Sequence, residues 1–341
     1  MATQAPELSD ELLFAVCEKF LGLEKPTQIA EWIENHSGTA CTREQVYPLI
    51  HQALKRGFLK LNPPKDFLMA QRLVQKYPQA GDVRVVSVRG PTVVQHLGST
   101  AAELLLDLIK DVARSKPEIH IGFGAGGSTQ QVARQLGGLL RHASGLPQLV
   151  IHALSSGFAV DDPMTAPVAF FSYFMEVFPP PLFVGLFAPA VVDYKEYDKV
   201  KRWAGVAESF ERAKAIDIIV TSLARAEDEH GLLNRFLRQN NARGLKNLEK
   251  AGWVGDVQWR PYGPEGPIKE NTGRRAVTLF ELEELREMVD DGRHVVLVAG
   301  PCLHCGVSKR IALRPLLAEP KLRVFNHLVT DIRTAEELLD G

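Results

Sequence analysis

The chain has 341 residues, 45% hydrophobic and 24% charged, an ordinary globular composition that suits two domains, or one large α/β domain with an appendage. Its formal net charge of −1 supplies no overall attraction to a polyanion or an anionic membrane surface. No stretch reaches the roughly 18 apolar residues of a membrane span. The opening MATQAPELSDELL lacks the basic-then-apolar order of a signal peptide, and four cysteines (17, 41, 302 and 305) form no secreted disulfide framework, so a cytoplasmic protein is expected.

The first 62 residues read as a helical head. Helices are expected over 11–20, over 27–33 just after Pro26, and from Thr42 to Arg56, where Thr42 and Gln45 make a capping-box pattern and Gly57 a stop. Phe58-Leu59-Lys60-Leu61 then reads as a wing strand. Helix, helix, turn, helix and wing are the layout of a winged helix-turn-helix DNA-binding head. Arg43, His51, Lys55, Arg56 and Lys60 fall on the third helix and wing. Three features weigh against DNA: residues 1–65 carry seven Lys/Arg against eight Asp/Glu, the turn 35–41 is long, and Pro48 removes an N–H inside the third helix. A docking or dimerisation module is the alternative.

Asn62-Pro63-Pro64 stops regular structure, and a linker helix is expected over 67–76 within 63–81. From residue 82 strands and helices alternate: strands over 83–88, 119–123, 148–154, 182–187, 216–221, 294–299 and 324–330, and helices over 93–113, 130–142, 279–289 and 334–339. A further helix opens at Ser308-Lys309-Arg310. Apolar strands between amphipathic helices imply a mainly parallel sheet covered on both faces, with ligands at the C-terminal strand ends.

The chemistry gathers in four places. Gly122-Phe123-Gly124-Ala125-Gly126-Gly127-Ser128-Thr129 links a strand to a helix; its amides and the positive helix end suit a phosphate or sugar carboxylate. The plainer role is a tight turn with Ser128 as N-cap. Gly122, Gly124 and Gly127 match G-x-G-x-x-G, but the strand is not the first and the acid expected about 20 residues on is missing, which disfavours a dinucleotide. Asp256, after Gly255, can accept sugar hydroxyls or cap a turn. Lys309 is a second charge for an anion or part of a solvated face. Cys302 and Cys305 have metal or redox spacing around His304, yet no second Cys pair completes a zinc set; they line a loop in the simpler reading, and no cofactor is assigned.

In order, the Gly-Gly-Ser-Thr turn, Gly252-Trp253-Val254-Gly255-Asp256, the strand Gly292 to Gly300, the Lys309 helix, and Leu328-Val329-Thr330-Asp331 with Thr334 to Leu339 resemble the SorC-type sugar-binding transcriptional regulators, which include the central glycolytic gene regulators. Leu97-Gly98 with Ala101-Ala102 is similar to that family's first helix, Thr27-Gln28-Ile29-Ala30 to its second head helix, and Ala53 to Gly57 to the end of its recognition helix. The resemblance implies an effector domain over 82–341 related in fold to ribose-phosphate isomerases and glucosamine-phosphate deaminases. It implies effector contacts at Gly126, Gly127, Ser128, Thr129, Asp256 and Lys309. DNA contacts are then expected at Thr27, Gln28, Arg43, Gln45, His51, Lys55 and Arg56, in a homo-oligomer, dimer or tetramer, that binds an operator and a sugar or sugar phosphate. Ser155-Ser156-Gly157 lacks the Arg that some members use for a second phosphate. Cys302 to Cys305 stands where a short Gly-rich link is expected. A sugar-phosphate isomerase or deaminase using Asp256 or Glu265 as base, and a ligand sensor with a protein-docking head, are the alternatives.

Overall fold

The computed structural model describes residues 5–59, 62–157, 162–269 and 272–340. It divides into two compact units, residues 1–62 and 63–341.

In the first unit three helices, α1 (Asp10–Leu21), α2 (Pro26–Ser37) and α3 (Arg43–Arg56), close around Leu13, Val16, Ile29, Ile33, Val46 and Leu49, all buried. Their ends are set by local chemistry. Ser9 accepts from the Leu12 amide, Pro26 occupies the first turn of α2, and the Thr42 amide donates to Gln45 Oε1 at 2.8 Å. Gly38 and Gly57 end α2 and α3 in the left-handed region, at φ 69° and 81°. The third helix runs to Arg56 as expected, with Pro48 in its second turn and about two more turns beyond it. The connection after α2 is shorter than expected, because α2 extends to Ser37. Phe58 and Leu59 are not in a strand, and the rest of the expected wing, Lys60 and Leu61, lies outside the described residues.

The second unit begins with α4 (Phe67–Lys76), capped by Asp66 and packed on the first strand and the last helix. The order continues β1 (Asp82–Val86), α5 (Val93–Val112), β2 (Glu118–Phe123), α6 (Gly127–Arg141), β3 (Gln148–Ala153), β4 (Leu182–Val184), β5 (Val191–Asp193), α7 (Tyr197–Val200), α8 (Val206–Ala213) and β6 (Ile218–Arg225). Then come α9 (Leu232–Asn240), α10 (Ala242–Lys250), β7 (Gly255–Val257), β8 (Arg260–Gly263), β9 (Gly266–Pro267), β10 (Arg274–Ala276), α11 (Leu282–Asp290), β11 (His294–Ala299), α12 (Arg310–Ala318), β12 (His327–Asp331) and α13 (Ile332–Asp340).

Seven strands pair in parallel in the order β1-β12-β11-β6-β2-β3-β4. Alternate residues serve opposite faces. Ile218, Val220, Val296 and Val298 join α5 and α6, while Ile219, Leu223, Val295 and Leu297 join α11 and α12. Helices α5 and α6 approach closely because Gly98 sits against Gln131, where a Cβ would lie 3.0 Å from the Gln131 Cβ. The chain leaves β2 toward β3 on one side and returns as β6 on the other. This places a topological switch point between β2 and β6, where their C-terminal ends diverge.

Candidate ligand-binding site

A cavity of about 600 Å³ opens above the C-terminal ends of β2, β6 and the segment after β11. Its floor is the start of α6. Gly126 is the N-cap residue at φ 124°, a backbone region closed to side chains, so Ser128 is not the cap. The first i→i−4 bond of α6 runs from the Gln130 amide to the Gly126 carbonyl, which leaves the amides of Gly127, Ser128 and Thr129 without helical acceptors. Gly126, Gly127 and Ser128 line the cavity. Thr129 does not: it is fully buried, and its hydroxyl donates to the Gly126 carbonyl at 2.8 Å, holding the bend from behind.

Opposite the helix start, β7 and β8 form a hairpin whose two-residue turn, Gln258-Trp259, has φ of 50° and 63°, the twist of a type I′ turn. Asp256 sits on β7, almost fully buried, and accepts from the Trp259 amide. It therefore fills the turn-capping role and still keeps Oδ2 buried without a hydrogen-bond partner. The Gln258 side chain lines the same cavity, with both its carbonyl oxygen and its amide nitrogen buried and unpartnered. Three orphaned polar atoms on one wall are costly unless something polar fills the space between.

Lys309, the N-cap residue of α12, is buried in the cavity lining and donates to the Leu223 carbonyl at 2.7 Å. It is not on a solvated face. Burial lowers its pKa, and Asp228, Cys302 and Asp256 oppose that. Burial pushes the Asp256 carboxyl up to about 7; the Trp259 amide and Lys309 pull the other way, and Asp228 adds to the rise. The cavity thus joins helix-start amides, a buried ammonium and a carboxyl poised between its two states.

The structure brings together Gly126, Gly127, Ser128, Asp256 and Lys309, from three separated stretches of chain. Cys302 lies in the lining beside Leu303, which covers Gly127; Cys305 is at the exposed end of that loop. Glu265 is exposed and does not line the cavity. Sequence reasoning missed Asp228, His230, Arg235 and Gln258, and missed that Asp228 and Asp256 form a carboxyl pair facing one space. Gln258 carries no turn signature, and Asp228, His230 and Arg235 lie in a stretch without strand or repeat signals.

Of the expected DNA contacts, Thr27, Arg43, His51 and Lys55 are exposed. Gln28 and Gln45 spend their side-chain oxygens on the Lys25 and Thr42 amides, and Arg56 is ion-paired with Asp10. Those three have structural work within the head.

An α/β domain with a polar cavity at the switch point of a parallel sheet is a small-ligand-binding domain in form. Residues 63–340 match the family described as "Putative sugar-binding domain", and the chain belongs to that family. No curated protein sequence matches the chain. Among solved structures, it resembles the full-length sorbitol operon regulator SorC from Klebsiella pneumoniae, at 17% identity over 98% of this chain and 100% of that one, with a TM-score of 0.68. A transcriptional regulator from Streptococcus pneumoniae TIGR4 is 18% identical over 80% of this chain and 96% of that one, TM-score 0.65. A probable sor operon regulator from Shigella flexneri is 18% identical over 80% and 98%, TM-score 0.63. At such identities the likeness is one of fold. Among the described residues, no helix is long and apolar enough to cross a membrane.

Proposed function

We propose that the protein is a DNA-binding transcriptional regulator whose second unit binds a sugar or sugar-phosphate effector. The observation that carries the ligand class is the pairing of free α6 amides with the orphaned polar atoms of Asp256 and Gln258 across one cavity. An anionic group fits the amides and Lys309; hydroxyls fit the carboxyl and the amide. The ligand would contact Gly126, Gly127, Ser128, Asp256 and Lys309, with Gln258 added.

The regulator reading draws on the family, on the structures named above, and on the three-helix head. Thr27, Arg43, His51 and Lys55 supply the DNA contacts, in a cytoplasmic homo-oligomer of two or four chains whose operator affinity shifts with effector occupancy. Two measurements test it. In a thermal-shift screen of free and phosphorylated sugars, a ligand at a hundredfold its Kd adds about 2.7 kcal/mol of stability. Fluorescence anisotropy on DNA upstream of the protein's own operon follows, with and without the hit. No binding at low salt in either state overturns the regulator reading. Turnover of a sugar phosphate, abolished by Asp256→Asn, would replace it with an enzyme built on the Asp228–Asp256 pair.

A further inference from the structure

The loop after β11 reads Cys302-Leu303-His304-Cys305-Gly306. It folds back on itself: the Gly306 amide donates to the Cys302 carbonyl at 2.9 Å, the Cys302 amide to the Val307 carbonyl at 3.0 Å, and Gly306 turns at φ 66°. Within this turn the backbone amides of His304 and Cys305 donate to the Cys302 sulfur. Burial raises the Cys302 pKa and these two amides oppose it, so the thiol is favoured without a metal, while the amides two and three residues on are placed to hold the sulfur once a metal displaces its proton.

The missing half of a four-ligand set comes from another part of the chain. After β6, a tight turn closed by the Gly231 amide on the Asp228 carbonyl at 2.8 Å presents Asp228 and His230 two residues apart. Ligand atoms of Asp228, His230 and Cys305 all lie within 4.8 Å of one another. The Cys302 sulfur is 3.7 Å from Asp228 Oδ1. Zinc–sulfur and zinc–nitrogen bonds of about 2.3 and 2.0 Å put tetrahedral ligands roughly 3.3–3.8 Å apart, so small rotamer changes complete the set. The His304 ring stacks on the His230 ring at 4.6 Å between centroids and orients it.

We propose that Cys302, Cys305, His230 and Asp228 bind a divalent zinc-type ion at the edge of the ligand cavity. Two thiolates, an imidazole and a carboxylate form a donor set suited to zinc and unsuited to calcium or magnesium. Binding releases the two thiol protons to solvent. The ion ties the loop after β11 to the turn after β6, and so fixes Leu303 over Gly127. The inference stands apart from the sugar and DNA readings, since metal content is measured without either ligand.

The test uses the full-length chain, reduced, stripped with chelator and re-equilibrated with equimolar Zn²⁺. Elemental analysis is expected to find one zinc per chain, and Co²⁺ in its place to show thiolate charge-transfer and tetrahedral visible bands. Because Cys305 and His230 are exposed, Cys305→Ser and His230→Ala keep the fold, checked by thermal unfolding without metal. Each is expected to weaken Zn²⁺ binding by roughly 10–100-fold or more. A reduced wild-type chain that retains no zinc after re-equilibration overturns the proposal. So does a Cys302→Ser/Cys305→Ser double variant with unchanged Zn²⁺ affinity. An intact mass showing a reducible Cys302–Cys305 disulfide in place of metal overturns it too.

Discussion

At the scale of single residues, buried groups are held in states that water would not choose. Asp256 is the sharpest case. Its pKa stands at about 7 against an ordinary 3.8, so the fold favours the neutral acid. Its stabilising contribution is complete below 3.8 and is lost as pH rises through about 7. Asp256→Asn is therefore expected to raise the unfolding temperature of the ligand-free protein by a few degrees at pH ~8, and to change it little in mild acid. The same variant should weaken sugar binding at both pH values, since the orphaned Oδ2 acceptor becomes a donor or is lost. Scanning calorimetry with and without ligand checks both; a fall in stability at pH ~8 would show that Asp256 is compensated in the apo state.

His152 works in the opposite sense. It is fully buried on β3, and its pKa is pushed down to about 3 by burial, then by His120 and Arg212. Its Nε2 meets His120 Nδ1 at 2.9 Å, and His120 Nε2 meets Glu118 at 2.9 Å. A second pair, His294 with His327 at 3.0 Å, bridges β11 and β12, and burial lowers His294 as well. The neutral form is favoured, so His152 contributes fully above its ordinary 6.5 and loses that contribution as pH falls from 6.5 toward about 3. Unfolding temperature is expected to drop over that window, with a shallower slope in His152→Gln. An unchanged slope would place the acid sensitivity elsewhere.

At the scale of elements, the sheet was largely legible and the site only in part. Strands β2, β3, β11 and β12 are buried on both faces, so their apolar β-branched runs stand out without alternation. Helices α4 and α5 carry apolar spacing between clear stops and fall where the sequence puts them, to within a residue. The β7–β8 hairpin was hidden, because Gln258 and Trp259 adopt positive φ with side chains that seldom do so. Tertiary packing overrides propensity there: Trp259 is buried with Trp253, Leu237 and Leu248. Pro48 is tolerated inside α3, since an early helical proline forfeits one bond that packing through Val46 and Leu49 outweighs. At α6 the Gly-rich turn was legible but the helix start was not: expected from 130 with Ser128 as cap, it begins at Gly127, because Gly126 at φ 124° takes the cap position. Gly126→Ala has room for its methyl, the nearest atom being Ser222 Oγ at 3.7 Å, so any loss is one of backbone strain. It is expected to cost about 1–3 kcal/mol and to abolish binding of phosphorylated sugars before unsubstituted ones. Wild-type affinity in that variant would remove the α6 amides from the site.

At the scale of the whole molecule, DNA binding must come from few charges. The head, residues 1–62, carries six Lys/Arg against eight Asp/Glu, and Arg56 is already paired with Asp10. On the proposed DNA-binding reading, exposed Arg43 and Lys55 on α3 would be the principal phosphate contacts, with helix starts adding uncharged amides. Counterion release gives a slope of log K against log salt of about −0.9 per neutralised phosphate. Two heads with two contacts each predict a slope of roughly −3 to −4, shallow for an operator-binding protein. Low electrostatic affinity makes such a regulator depend on base contacts and on paired heads, so ligand-driven changes in head placement would act on a binding energy with little nonspecific background. Anisotropy titrations over a salt series measure the slope directly, and Lys55→Ala should flatten it by about 1 per head engaged. A slope steeper than about −6 would require cations beyond Arg43 and Lys55, and would move the DNA interface off the exposed face of α3.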